Sequence, residues 1–466
     1  MPRRSHPSPP SHTTQRNTRK RRAPLSATPD AMSNADIEGD QGGLKLVESW
    51  FSARGWLPHA FQRQAWNAYL AGHSGLLAVP TGAGKTYAAY LGALADLIDV
   101  AGHTSTPSVP KPGTGAPRKG RRYQCAPTMP GEKGERTSWQ GVKLLYLSPL
   151  RAVARDIELA LRDPIEQLGL PFRIESRTGD SSSSDRSRQR RRGLGDVLVT
   201  TPESLSTLLA DSSWREHFAS LRGVLVDEWH EILATKRGTQ VELALARLRQ
   251  VSARLRVWGM SATIANLDEA LRRLVGTQTP EADDPVPKLI RGDLVRPTIV
   301  SSLVPASVER FPWGGHLGMA MFKPLLDFLD PTIPTLLFVN TRSQAELWTR
   351  ALGLARPEWE PHLALHHGSL DREERERVEA GIKAGRLTLV VCTSSLDLGV
   401  DFPPIQRVVQ IGSPKGISRL KQRAGRAAHR PGAACHVICV PTHGLELIEF
   451  AAAREAIERD EIEPRH

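Results

Sequence analysis

Seven consecutive residues, Pro80-Thr81-Gly82-Ala83-Gly84-Lys85-Thr86, carry the densest chemistry in the chain. Glycines let a loop wrap closely enough to aim backbone N–H groups at phosphate oxygens. Thr81, Gly82 and Gly84 would line a triphosphate there, Lys85 would reach its β- and γ-phosphates, and the Thr86 hydroxyl would bind Mg²⁺. Val79 stands where the strict pattern has its first glycine. A second cluster, Asp227-Glu228-Trp229-His230, directly follows the apolar run Val224-Leu225-Val226. A carboxylate at the C-terminal end of a strand lies where α/β sheets bind ligands. Asp227 would hold the metal through water, and Glu228 would orient and deprotonate an attacking water. The third piece lies in the other half of the chain: Gln422-Arg423-Ala424-Gly425-Arg426-Ala427-Ala428-His429-Arg430. A basic run alone is most often a solvated helix face. Opposite a phosphate loop it suggests Gln422 beside two arginine fingers, Arg423 and Arg426, which stabilise γ-phosphoryl charge when two domains close.

These pieces need a scaffold that sets strand ends against helix starts. Leu76–Val79, Leu144–Leu147, Val197–Val199, Val224–Val226 and Arg256–Met260 read as short strands, with helices from Lys85 to about Val100 and from Arg151 to about Leu168. Four prolines from Pro280 to Pro297, around a charged stretch that starts at Glu281, mark a boundary. The pattern then restarts with strands at Leu336–Val339, Leu363–His366, Leu389–Cys392, Val408–Ile411 and His436–Cys439, and helices at Gln344–Leu354 and Asp371–Ala384. Continuous short apolar runs between helices imply strands covered on both faces, hence parallel sheets. The expected fold class is α/β, with two tandem domains, each a mostly parallel sheet flanked by helices. The expected boundaries are a disordered basic tail (1–42), a first domain (43–278) with a flexible insertion (101–141), a linker (279–296), a second domain (297–455) and a tail (456–466).

The net charge of +12 is weak evidence for a nucleic-acid partner. Residues 1–40 carry +3 and residues 101–141 carry +5, which leaves +4 for the rest. Both basic segments are rich in Pro, Gly, Ser and Arg and lack periodicity, the signature of disorder. No apolar run approaches the ~20 residues a membrane helix needs, and the N-terminus has no apolar signal core. The four cysteines, Cys125, Cys392, Cys435 and Cys439, form no C-x-x-C pair. They read as free thiols in a reducing cytoplasm. The tryptophans Trp50, Trp56 and Trp66 read as packing residues.

In content and order the three pieces resemble the superfamily 2 helicases of the DExH kind, whose two domains are RecA-like. Further motifs agree. Phe61-Gln62 resembles the Q-motif, which implies that Gln62 reads adenine. Ser148-Pro149-Leu150-Arg151, Arg177-Thr178-Gly179-Asp180 and Thr200-Thr201-Pro202-Glu203-Ser204 resemble strand-gripping motifs. Ser261-Ala262-Thr263 resembles the motif that couples ATP state to grip, with His230 as its partner in coupling. Phe338-Val339-Asn340-Thr341-Arg342-Ser343, His366-His367-Gly368-Ser369-Leu370 and Thr393 to Asp401 follow in order in the second half. The resemblance places Arg151, Thr178, Gly179, Thr201, Arg342, Gly368 and Thr393 on nucleic-acid phosphates, and Gly399 and Asp401 at the nucleotide. The five arginines from Arg186 to Arg192 are equally compatible with nucleic-acid contact and a solvated surface.

More narrowly, Asp227–Glu231, Arg310–His316, His366–Glu373 and Ser413–Gly416 resemble the bacterial Lhr-like, ligase-associated DNA helicases. That resemblance implies ATP and Mg²⁺ as cofactors and a motor moving 3′ to 5′ on single-stranded or tailed duplex DNA. It also implies a role in DNA repair and a functional link to DNA ligase and repair nucleases. His429 and Ala428 depart from the general motif's last arginine and the glycine before it, which leaves Arg423 and Arg426 as the fingers. The family continues into a winged helix and a further domain, so a motor core only is expected here. An ATP-gated clamp that grips without moving, and an RNA helicase, remain alternatives. A small-molecule kinase does not explain the Gln422–Arg426 motif.

Overall fold

The computed structural model describes residues 42–80, 82–102, 141–262, 265–276, 285–292, 297–304, 307, 311–313, 317–397, 405–427 and 434–464, without the side chains of Ala152 and Arg190. The expected N-terminal tail (bar Gly42), nearly all of the 101–141 insertion and the sites Thr81, Thr263, Gly399, Asp401, Ala428, His429 and Arg430 lie outside these residues.

Among the described residues seven strands form the first sheet: β1 (Gly75–Ala78), β2 (Leu144–Leu147), β3 (Ile174–Arg177), β4 (Val197–Thr200), β5 (Gly223–Val226), β6 (Arg256–Ser261) and β7 (Lys288–Arg291). Their spatial order is β3-β4-β2-β5-β6-β1-β7, and every pairing is parallel. Six described strands form the second: β8 (Thr298–Ser302), β9 (Thr335–Phe338), β10 (Leu363–His366), β11 (Leu389–Cys392), β12 (Arg407–Ile411) and β13 (Cys435–Val440). The order there is β10-β11-β9-β12-β13-β8, again all parallel. This is the tandem RecA-like architecture, with helices on both faces of each sheet.

The central strands are buried along their whole length, as β2, β4, β5, β9 and β11 show. Each sheet separates two apolar layers. In the first sheet, Trp50, Trp66, Tyr90 and Leu161 pack on one face and Phe218, Trp229, Val241 and Leu245 on the other. Trp50 and Trp66 are thus packing residues. Trp56 is 38% exposed at the rim, with the Arg54 guanidinium over its ring.

The fold corrects two segment assignments. The expected linker 279–296 contains β7, which pairs with β1 from Gly75↔Lys288 to Ala78↔Arg291. Only Ile290 of β7 is buried, so an edge strand with one core-facing residue carries no apolar run to read. The expected tail 456–466 is not separate from the second domain either. Helix Gly444–Glu458 runs into it, and Asp460 and Glu463 bond back onto another helix.

Candidate nucleotide site and polynucleotide face

The phosphate loop leaves the C-terminal end of β1, and Asp227 leaves that of β5. Only β6 lies between these strands, so both reach one crevice at the carboxyl edge of the sheet. Gly82 (φ 74°) and Gly84 (φ 83°) take left-handed backbone that favours glycine. Gly84 precedes helix Lys85–Val100, so Lys85 and Thr86 form its first turn.

Lys85 is buried, and its Nζ lies 3.3 Å from Glu228 Oε2 and 3.5 Å from Oε1. Glu228 sits at φ 44°, a conformation that costs a non-glycine residue on the order of 1–3 kcal/mol. Its surroundings hold it there. Its amide donates to Asp227 Oδ1 at 2.9 Å, the Asp227 amide donates to the Leu147 carbonyl at 2.8 Å, and Trp229 is anchored by its indole on the Ala270 carbonyl at 2.9 Å. Burial pushes the Glu228 carboxyl up. Lys85, with help from His230 and Arg426, outweighs that and holds it below the ordinary carboxylate range. His230 Nδ1 is 3.5 Å from Glu228 Oε2 and its Nε2 is 3.4 Å from Glu231 Oε1.

Asp227 is driven the other way. Burial first, then the charge of Glu228, raises its carboxyl to about 6, with Lys85 and the bonds from Tyr146 and the Glu228 amide opposing. Tyr146 was not anticipated. Its hydroxyl donates to Asp227 Oδ2 at 3.0 Å and also hydrogen-bonds Thr86, so it spans the two side chains expected to hold a metal. A tyrosine in the otherwise aliphatic strand Leu144–Leu147 was its only trace in the sequence. In metal-free protein a folded-state carboxyl raised from 3.8 to about 6 takes up its proton more readily than the unfolded one. Stability therefore falls as pH rises across that interval, and the cost is fully present above it. Asp227→Asn, melted in EDTA, is expected to exceed wild type at pH 8 by on the order of 1–3 kcal/mol. The gain should vanish near pH 4. A variant no more stable than wild type at pH 8 contradicts the raised carboxyl.

Gln62 is committed in this state. Its Oε1 accepts from the His59 amide at 2.9 Å and its Nε2 donates to the Gly84 carbonyl at 3.2 Å. It braces the phosphate loop instead of presenting a free carboxamide to adenine. Ser261 Oγ and both polar atoms of Gln422 are buried with no partner among the described residues. Buried polar atoms are normally satisfied, and these suit a ligand or water bound between the sheets. This set fits a nucleotide triphosphate. Thr86 and Asp227 fit Mg²⁺, which keeps most of its ligands as water and phosphate.

The two finger candidates differ. Arg423 is 1% exposed and is spent inside the second domain. Its Nε and Nη2 donate to the Asp397 carboxylate at 2.7 and 3.2 Å, its Nη1 donates to Gln410, and it stacks on Phe338. It is not a finger here, because the buried Asp397 carboxylate holds its Nε–Nη2 edge and the Gln410 amide oxygen holds Nη1. Arg426 Nη2 donates to the Asp397 carbonyl at 2.8 Å, and its charge helps hold Glu228 down across the cleft.

On the candidate polynucleotide face the ends of β2 and β3 bring Arg151 and Thr178–Gly179 together. Arg151 Nη1 lies 3.5 Å from Asp180, and a Cβ on Gly179 would fall 2.7 Å from the Arg151 guanidinium carbon. The Thr201 side chain is not available, being fully buried as the cap of helix Pro202–Ala210. In the second domain β10 and β11 are neighbours, so Gly368 and Thr393 leave adjacent strand ends. Gly368 is open, and Thr393 is mostly buried, its amide donating to the His366 carbonyl at 3.2 Å. His366, to which no role was assigned, ties the two loops together: Nδ1 meets Ser395 Oγ at 2.8 Å and Nε2 meets Glu379 at 3.2 Å. Arg342 is exposed at the start of helix Arg342–Ala355. A cleft of about 930 Å³ lies beside this face, lined by Arg151, Thr178 and Asp180 on one side and Arg372 and Lys383 on the other. Lys383 bridges to Asp156 there at 3.0 Å.

The DEAD/DEAH box helicase family matches residues 59–270, and the helicase conserved C-terminal domain matches residues 320–432. The Lhr helicase/probable uracil glycosylase of Mycolicibacterium smegmatis is 31% identical over 461 residues, covering 90% of this chain and 28% of that protein. The ATP-dependent helicase Lhr-Core of Methanothermobacter thermautotrophicus is 33% identical over 376 residues, covering 77% and 39%. A solved structure of the Mycobacterium smegmatis helicase Lhr bound to ssDNA and AMP-PNP superposes with a TM-score of 0.73 at 31% identity, covering 90% of this chain and 50% of that one. The chain thus spans half or less of each of these relatives. No helix among the described residues is long and apolar enough to cross a membrane. With both helicase families matched in tandem on two parallel sheets, and Lhr relatives aligned across most of its length, the chain belongs to the DEAD/DEAH box helicases, in their Lhr-like branch.

Proposed function

We propose that this chain is an ATP-dependent motor whose hydrolysis is stimulated by nucleic acid and coupled to 3′-to-5′ movement on single-stranded DNA. The observation that carries this is the Lys85–Glu228 pair in the phosphate-loop crevice, with Arg426 of the second domain acting on the same carboxylate. Thr81, Gly82, Gly84 and Lys85 hold the triphosphate, with Gly399 and Asp401 at the nucleotide from the second domain. Glu228 orients the attacking water and takes its proton, while Gln422 and Arg426 complete the site on closure. Thr86 and Asp227 hold Mg²⁺, which supplies charge neutralisation between the phosphates. His230, Ser261 and Thr263 link this site to the strand held by Arg151, Thr178, Gly179, Thr201, Arg342, Gly368 and Thr393. For Thr201, its buried hydroxyl leaves the backbone as the contact. The Lhr relative bound to ssDNA and AMP-PNP supports this reading. Work in DNA repair in the cytoplasm, beside a ligase and repair nucleases, belongs to the same proposal and rests on the family resemblance.

ATP turnover measured with ssDNA, with ssRNA and without nucleic acid tests the substrate, and strand displacement on 3′- and 5′-tailed duplexes tests the motor. Stimulation by ssDNA with displacement of the 3′-tailed duplex is expected. Hydrolysis without displacement of either duplex replaces the motor with a clamp, and stimulation by RNA alone replaces DNA as the substrate.

A further inference from the structure

Helix Ile417–Ala424 carries Gln422 and leads directly into the turn that bears Arg426, yet it has no local cap. Gly416 precedes it at φ 135° and offers no side chain. The first amides of a helix have no partner within it. Here they donate to Glu463, far along the chain: Ile417 N to Oε2 at 3.1 Å, and Ser418 N to Oε1 and Oε2 at 3.1 and 3.3 Å. A Cβ on Gly416 would fall 2.6 Å from Glu463 Oε1, so glycine is what lets the backbone come this close. One turn further on, Lys421 Nζ meets Asp460 Oδ1 at 2.7 Å.

The loop before the helix is held from the same side. The Ser413 amide donates to Glu446 Oε1 at 2.8 Å and its hydroxyl donates to Glu449. Glu446 Oε2 accepts from the Thr442 amide at 2.6 Å. Carboxylates of helix Gly444–Glu458 and of the residues after it therefore grip the entry to the arginine-bearing helix. The bonds its amides donate to Glu463 fix its position along the axis, and a carboxylate there also complements the helix dipole. The Lys421–Asp460 pair, on another turn, fixes its rotation.

We infer that residues 459–464 form a strap that sets the register of Arg426 against the nucleotide, and that Glu463 is a positioning residue for hydrolysis. The inference rests on the nucleotide-site reading above. A misplacement of about 1 Å can cost about 100-fold in rate, so a small slip of this short helix is sufficient. Any pull on the segment would reach the finger through two turns of helix.

The test compares full-length Glu463→Ala, Arg426→Ala and the double variant by steady-state ATP turnover with ssDNA, by ssDNA affinity and by melting. Glu463→Ala is expected to lower kcat about 10- to 100-fold with KM for ATP and ssDNA affinity unchanged. The double variant should be no slower than Arg426→Ala alone, because the two changes remove one interaction. A KM or affinity loss alongside kcat, or multiplicative losses in the double variant, overturns the strap. So does wild-type kcat in Glu463→Ala beside a crippled Arg426→Ala. Wild-type turnover in Arg426→Ala overturns the nucleotide-site reading itself and the strap with it. Asp460→Asn, at an 84% exposed side chain, reads the second anchor without touching the fold. A fall in its kcat at unchanged melting temperature supports the strap, and no change removes Asp460 from it.

Discussion

Glu228→Gln is expected to lower the ATP turnover number about 10²- to 10⁴-fold, the usual worth of a general base, while a non-hydrolysable triphosphate analogue still binds. Glu228 is held ionised at its site although it is buried, because the Lys85 ammonium 3.3 Å away outweighs desolvation. An ionised carboxylate in a water-poor crevice can take a proton, and a carboxamide of the same shape cannot. Binding should persist because the phosphate loop and Lys85 are untouched, and Lys85 exchanges a carboxylate for the triphosphate. Lys85→Ala should differ in kind and lose the nucleotide as well, since it deletes the only charged side chain of the loop. Equilibrium binding beside single-turnover hydrolysis separates the two. Turnover of Glu228→Gln within tenfold of wild type would move the base elsewhere.

The second large effect divides two arginines three residues apart. Arg426→Ala is expected to cut hydrolysis about 10³-fold or more, the scale of a lost arginine finger, and to leave the fold nearly intact. Among the described residues its Nη2 bonds a neutral backbone carbonyl, with no buried carboxylate left bare by its removal there. Arg423→Ala is expected instead to destabilise the second domain by about 3–5 kcal/mol. It leaves the Asp397 carboxylate, 4% exposed, with only Arg419 at 3.7 Å as an ion-pair partner among the described residues. Melting curves and turnover, measured together on both variants, decide the matter. A stable, inactive Arg423→Ala beside an active Arg426→Ala reverses the assignment.

Much of the scaffold was legible because its signals are local. A parallel strand buried on both faces must be a short apolar run, and β2, β5, β9 and β11 read that way directly. The edge strands β3, β7 and β8 escaped for the complementary reason. Each bares part of its length to solvent, so its residues alternate or vary, and pairing on one side only leaves no distinctive composition. Domain limits erred in the same direction at 279–296, where a charged, proline-flanked segment is nonetheless paired to β1.

At the site, the phosphate loop and the Asp227–Glu228 pair could be read from the chain alone, because contiguous residues set the chemistry and a strand end sets the placement. Composition and order also led to two parallel-sheet domains, and the resemblance to superfamily 2 helicases implied an ATP-driven nucleic-acid motor. Contacts between residues far apart in the chain were settled by folding. Arg423 and Arg426 are chemically equivalent as text. The buried Asp397 carboxylate takes the Nε–Nη2 edge of Arg423, whereas Arg426 bonds the neutral backbone carbonyl of Asp397 and adds its charge to the field on Glu228. In the same way, Tyr146 spans Thr86 and Asp227, Gln62 braces the phosphate loop, and Glu463 caps the arginine-bearing helix. Each of these depends on which partner neutralises a buried charge or satisfies a buried donor, and burial exists only once the sheets have packed.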